Sequence, residues 1–232
     1  MDNMRGIALM VASMAGFSVE DALIKRVAEE VPTGQIIIIL GLIGGLFFGL
    51  LAKARGQRLL GPALTQRSVV ARNLSEMIGT ICYVSSFVLA PLSIASAILQ
   101  ATPLFVTLGA ALFLGAPVGW RRWTAIFVGF IGVLIIVRPG GESFHPASLL
   151  AVAGVIFLAI RDLATRTAPP AIPSLVIAFY GTLSTAPAAA VLLWFQGGWV
   201  AVPTAALLGI LAAAAVGLAA YYAIIAAMRI GD

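Results

Sequence analysis

Glu76, Thr80 and Tyr83 are spaced by four and then three positions, and Ser86 follows three further on. On a helix such residues stack along one face, so a carboxylate, a hydroxyl and a phenol would form one hydrogen-bonding wall. In an apolar segment these groups must bond to each other or meet water. Two readings of Glu76 are open: a proton or cation site, or an i,i+4 ion pair with Arg72. A second polar stretch is "LQATPLFVT", where Pro103 withholds one backbone donor and frees a carbonyl beside Gln100 and Thr102. Either the kink exposes polar groups to a ligand, or it serves packing while Gln100 bonds to a neighbouring helix. Phe17, Phe157, Tyr221 and Tyr222 supply rings that can stack on a planar molecule while a phenol reads its polar edge. Together these eleven residues are the candidate ligand-binding set.

Asp21/Lys25 and Asp162/Arg166 are two acid–base pairs at i,i+4. The spacing suits anchors of helix ends, or latches that open and close. Enzyme chemistry finds little support. Lys25 and Lys53 are the only lysines and neither follows a glycine, so no phosphate-cradling Walker loop exists. His145 is the single histidine and Cys82 the single cysteine. They exclude an internal disulfide and a Cys/His zinc cluster, and one loop histidine builds no serine triad. We expect no cofactor, no metal and no enzyme activity.

The elements that must hold these residues follow from composition. Of 232 residues 61% are hydrophobic and 10% charged, with mean hydropathy +1.08. A soluble domain carries about 25% charged residues, so the bilayer must be the outer solvent. Eight segments satisfy the roughly 20-residue requirement for a spanning helix: about 5–25, 34–52, 73–91, 94–115, 122–138, 147–166, 174–195 and 204–228. Their runs do not alternate, which excludes a barrel. The expected fold is an all-α polytopic membrane protein. Trp120, Trp123, Trp194 and Trp199 fall at span ends as an interfacial belt. Gly41, Gly45 and Gly49 recur every four residues, a surface for close helix packing or for a homodimer.

The net charge of +5 is not arranged as a nucleic-acid stripe. With the N-terminus inside, eleven of the fourteen basic residues, Arg5, Arg72 and Arg229 among them, fall on cytoplasmic segments. The outside keeps Lys25, Arg26 and Arg138 among acids such as Glu20, Asp21 and Glu142. This bias predicts an N-in protein of the cytoplasmic (inner) membrane.

An internal repeat adds to this. At an offset of 141, Asp21 falls on Asp162, Lys25 on Arg166 and Pro32 on Pro173; "YVSSFVLAPLSIAS" from Tyr83 resembles "YYAIIAAMRIGD" from Tyr221 at 138. Five spans separate the copies, so they lie upside down relative to each other, an architecture of secondary transporters. The reading divides the chain into 1–140, with five spans, and an inverted 141–232, with three, and expects two further helices.

Arg72 entering span three, "YVSSFVLAPLSIASAILQATPLFVTLGAALFLG", "GFIGVLIIVRPGG" and the "AMRIGD" ending resemble the EamA type of the drug/metabolite transporter superfamily. The resemblance covers essentially the whole chain and departs at Ala116, where a glutamate is usual. It implies a ten-helix bundle of two inverted halves that moves a small organic metabolite, amino acid-like or vitamin/nucleotide-like. Export or exchange, with protons or a counter-substrate, would proceed by alternating access. A membrane scaffold or regulatory subunit, or a channel, is the alternative.

Overall fold

The computed structural model describes residues 2–61, 65–141, 144–169 and 171–230, with side chains within residues 4–223 of these ranges. Glu142, the Arg229 side chain and the final Gly231 and Asp232 lie outside the described residues. Nine helices occur among the described residues: α1 Asp2–Val27, α2 Thr33–Ala54, α3 Arg67–Leu89, α4 Leu92–Leu99, α5 Thr102–Phe113, α6 Trp120–Val137, α7 Ala147–Arg166, α8 Ser174–Phe195 and α9 Thr204–Ile230.

Proline and glycine set the punctuation. Pro32, Pro91 and Pro173 stand immediately before α2, α4 and α8, and Gly119 before α6. Proline has no N–H to satisfy and resists continuing a helix from the preceding turn. At its far end α6 stops where Arg138 turns left-handed at φ 47°.

Span four departs from expectation. The sequence suggests one kinked helix over 94–115, whereas the chain breaks at Gln100–Ala101 into α4 and α5. Pro103 cannot donate to the Leu99 carbonyl, and the Thr102 hydroxyl takes that acceptor instead at 2.6 Å. The break therefore lies just before the proline, at Gln100–Ala101, with the freed carbonyl already satisfied.

Counting Leu92–Phe113 as one, seven helical segments are long and apolar enough to cross a membrane by length and composition. The eighth, α3, carries Arg72, Asn73 and Glu76 and is not among them. It is nonetheless embedded in the bundle, since Arg72 is only 5% exposed. Large apolar side chains such as Leu46, Phe127, Val128 and Leu134 are exposed on the outside, as lipid contact requires. Trp120 and Trp123 sit at the start of α6, Trp194 at the end of α8 and Trp199 in the loop that follows, and all four are exposed.

Three helix pairs dominate the packing: α1 on α9, α2 on α8 and α3 on α7. Each pair is antiparallel, as eight crossings require: Gly34 abuts Leu193 while Gly49 abuts Phe179, and Gly16 abuts Ala220 while Gly209 abuts Val27. Helices α4 and α5 pack beside α7, and α6 packs on α4 and α5. Gln35, fully buried, ties α2 to the α8–α9 loop. Its amide donates to the Val200 carbonyl at 2.9 Å and accepts the Val200 N–H at 3.0 Å.

Two apolar clusters result. The larger gathers Ile24, Ile37, Val84 and Phe87 with residues of most other helices; the smaller gathers Phe48, Ala52, Leu175, Val176 and Ala178.

Candidate functional site

Between the two clusters lies a cavity of about 220 Å³, lined by α1, α2, α3, α8 and α9. It shares Ile24, Ile37 and Val84 with the larger cluster and Phe48, Leu218 and Tyr221 with the smaller. Its lining residues come from the middle of α2, α3, α8 and α9, so it sits at mid-depth.

Helix α1 presents Phe17, Glu20, Asp21 and Ile24 to it, a single i, i+3, i+4, i+7 face. At 1.5 Å per residue, Glu20 lies roughly 10 Å below the end of α1 at Val27. Glu20 and Asp21, expected among the outer charges, line the interior instead. The Asp21 carboxylate accepts a hydrogen bond from the Tyr83 hydroxyl at 2.8 Å. Glu20 lies against Gly217 of α9, where any side chain would collide with the carboxylate.

Helix α3 presents Glu76, Thr80 and Val84. Glu76 accepts from Arg72 Nη2 at 3.1 Å and from Arg161 Nη1 at 3.1 Å, and Arg161 Nη2 bridges Asp162 at 2.8 Å. Arg72 also donates to Asn73 at 2.9 Å. Its guanidinium packs on Gly181 of α8, whose missing side chain makes room for it. Two guanidiniums thus face two carboxylates in a network joining α3 to α7, and the i,i+4 pair expected of Arg72 and Glu76 is one limb of it.

The sequence-nominated residues separate into groups. Phe17, Glu76, Thr80 and Tyr221 line the cavity, and Asp21, named as an anchor, lines it too. Tyr83 stands beside it, 7% exposed, bonded to Asp21. Ser86 is fully buried and donates to the Tyr83 carbonyl, a local helix bond. Gln100, Thr102, Pro103, Phe157 and Tyr222 do not line it. Gln100 and Pro103 are exposed, Thr102 is spent on Leu99, and Tyr222 is 51% exposed.

The two anchor pairs are not ion pairs among the described residues. Lys25 donates to the Phe87 and Ala90 carbonyls at the C-terminus of α3, the latter at 2.6 Å. There a cation meets unsatisfied helix-end carbonyls and the negative end of the helix dipole. Asp162 pairs with its neighbour Arg161, and Arg166 is exposed at the end of α7.

Sequence reasoning missed Glu20, Gly181 and Gly217 as site residues, and the signal was faint. Glu20 shares a helical face with Phe17 and Ile24, whereas the glycines matter only through the charges they admit. Among the described residues no group of three or more His, Cys, Asp or Glu side chains could hold a metal ion.

The model of the EamA-like transporter family matches residues 4–138. The pseudopaline exporter CntI of Pseudomonas aeruginosa is 31% identical over 172 residues, covering 69% of this chain and 58% of the exporter. A riboflavin transporter of Vibrio cholerae is 43% identical over 70 residues, 30% of this chain and 24% of its own. An S-adenosylmethionine uptake transporter of Rickettsia bellii is 30% identical over 117 residues, 50% and 40%. The chain thus spans under two thirds of the length of these relatives. One crystal structure superposes with TM-score 0.68 at 23% identity, covering 97% of this chain and 81% of that one, a likeness of fold. A multi-pass helical bundle and a family match over more than half of its length lead to one conclusion: the chain belongs to the EamA-like transporter family of the drug/metabolite transporter superfamily.

Proposed function

We propose that this chain forms the substrate pathway of a secondary transporter for a small organic metabolite, with its N-terminus on the cytoplasmic side of the inner membrane. One observation carries the reading: a mid-depth cavity with polar and aromatic walls, bordered by two apolar clusters. A carrier needs such a chamber between two gates. A channel needs a continuous polar path, whereas this cavity shares apolar side chains with both clusters. Export or exchange by alternating access, with a proton or counter-substrate, fits this arrangement.

The division into inverted units, 1–140 and 141–232, belongs to the same proposal, as does the ten-helix bundle. Packing register supports it. Shifting the contact of Glu20 with Gly217 by 138 positions in each helix gives Leu158 with Gly79, which is also a contact. Gly41 with Thr185 and Gly44 with Thr182 exchange in the same way at an offset of 141. The α1–α9 and α3–α7 pairs then become images of each other, and α2–α8 maps onto itself. The register sets Leu158, not Arg161, equivalent to Glu20. The repeated acid–base punctuation at 141 is therefore one helical turn out of step with the packing of α1 and α7.

Counterflow in proteoliposomes, screened with amino acids, vitamins and nucleosides, tests the function. Thr80→Trp fills the chamber and should abolish saturable flux, whereas Tyr222→Trp, at an exposed position, should preserve it. Equal flux in both variants and the parent protein removes the cavity from the mechanism.

A further inference from the structure

Within the cavity the charges are unevenly compensated. At the Glu76 end two guanidiniums answer two carboxylates. At the Glu20–Asp21 end, among the described residues, no basic side chain reaches salt-bridge distance of either acid. Asp21 has the Tyr83 hydroxyl, and Lys25, one turn further along α1, is committed to backbone carbonyls of α3. Gly217 removes the side chain that would push the Glu20 carboxylate aside. Carboxylates held in a low-dielectric bundle are costly unless a cation or proton joins them.

Aromatic surface surrounds the same space. Phe17 lies one turn before the acids on the same helix face, and Phe48 and Tyr221 pack ring to ring at 5.0 Å across the cavity's other end. Ring faces attract cations that have shed water. The volume, about 220 Å³, is below the about 300–1,000 Å³ of pockets for drug-sized molecules.

We infer that the chamber takes a small organic cation, its positive centre between Glu20 and Asp21 and its apolar or ring-bearing body toward Phe17, Phe48 and Tyr221. The inference rests on the cavity being the substrate chamber and specifies what enters it. A neutral or anionic solute of equal size would bring no countercharge to either acid.

Calorimetric titration of the purified full chain tests this with three probes of one frame: benzyltrimethylammonium, N-benzylacetamide and phenylmethanesulfonate. The ammonium should bind roughly tenfold or more tightly than the other two. Glu20→Gln with Asp21→Asn should weaken the ammonium by roughly tenfold or more and leave N-benzylacetamide unchanged. Gly217→Ala keeps both charges but displaces the Glu20 carboxylate, and should also weaken the ammonium. Neutral or anionic binding as tight as the ammonium's, lost in Thr80→Trp, overturns the charge preference and spares the chamber. Binding of none of the three overturns both. Ammonium affinity unchanged in the double variant assigns the carboxylates to protons and overturns the inference.

Discussion

Glu76 shows how one side chain can serve a cavity wall and a structural joint together. It lines the chamber and also accepts from Arg72 and Arg161, so its charge is shared between α3 and α7. Removing one partner of a buried ion group costs about 3–5 kcal/mol, because the remaining charge stays desolvated. After Glu76→Ala, Arg161 keeps Asp162 but Arg72 keeps only the neutral Asn73. Glu76 is 17% exposed, which favours the lower end, about 3 kcal/mol. Glu76→Gln keeps one acceptor oxygen, enough for one of the two guanidiniums, and should lose less than the alanine variant. Denaturant unfolding of the two variants in detergent ranks these losses, and an alanine variant as stable as the parent protein removes the joint.

Helix approach is set by glycines whose importance depends on what they face. A Cβ at Gly34 would meet the Ala189 carbonyl oxygen and the Leu193 nitrogen at 2.7 Å, both backbone atoms that cannot turn aside. Gly132 in α6 has nothing within 4 Å. Gly34→Ala should therefore part α2 from α8 at a cost of about 1–3 kcal/mol. Gly132→Ala should gain up to about 1 kcal/mol from backbone entropy alone. Thermal unfolding of both separates packing from propensity, and equal shifts would refute the close approach. The same contrast explains what the sequence could convey. Lipid imposes a common length and an apolar character on most spans, so those helices were legible; six of the eight spans emerged nearly as drawn, whereas α3 begins six residues earlier at Arg67 and span four is broken. The break before Pro103 was read as a kink within one helix, because spacing could not show that the Thr102 hydroxyl takes up the Leu99 carbonyl. On α3, spacing found Glu76 and Thr80 but could not tell that Tyr83 reaches sideways to Asp21. Glu20 escaped because it was counted with the outer charges near the end of span one, although it lies two turns inside α1.

For the molecule as a whole, loop charge and helix parity speak to the same question by different physics. The three dominant pairs are antiparallel, so within each pair one partner crosses outward and the other inward. That relation holds for either orientation of the chain and leaves the choice of side to the basic residues. If α1 runs outward, Glu29 in the turn after it faces the outside and Arg166 at the end of α7 faces the cytoplasm. Both side chains are exposed and free of the cavity. With Cys82→Ser removing the native thiol, cysteines at these two positions report orientation through a bulky maleimide that cannot cross the bilayer. Glu29→Cys should label on intact spheroplasts and Arg166→Cys only after permeabilisation. Labels in exchanged compartments would turn the protein over yet keep the inverted pairing. Both labels on one side would be incompatible with five crossings between them, and with two half-bundles facing opposite sides of one chamber.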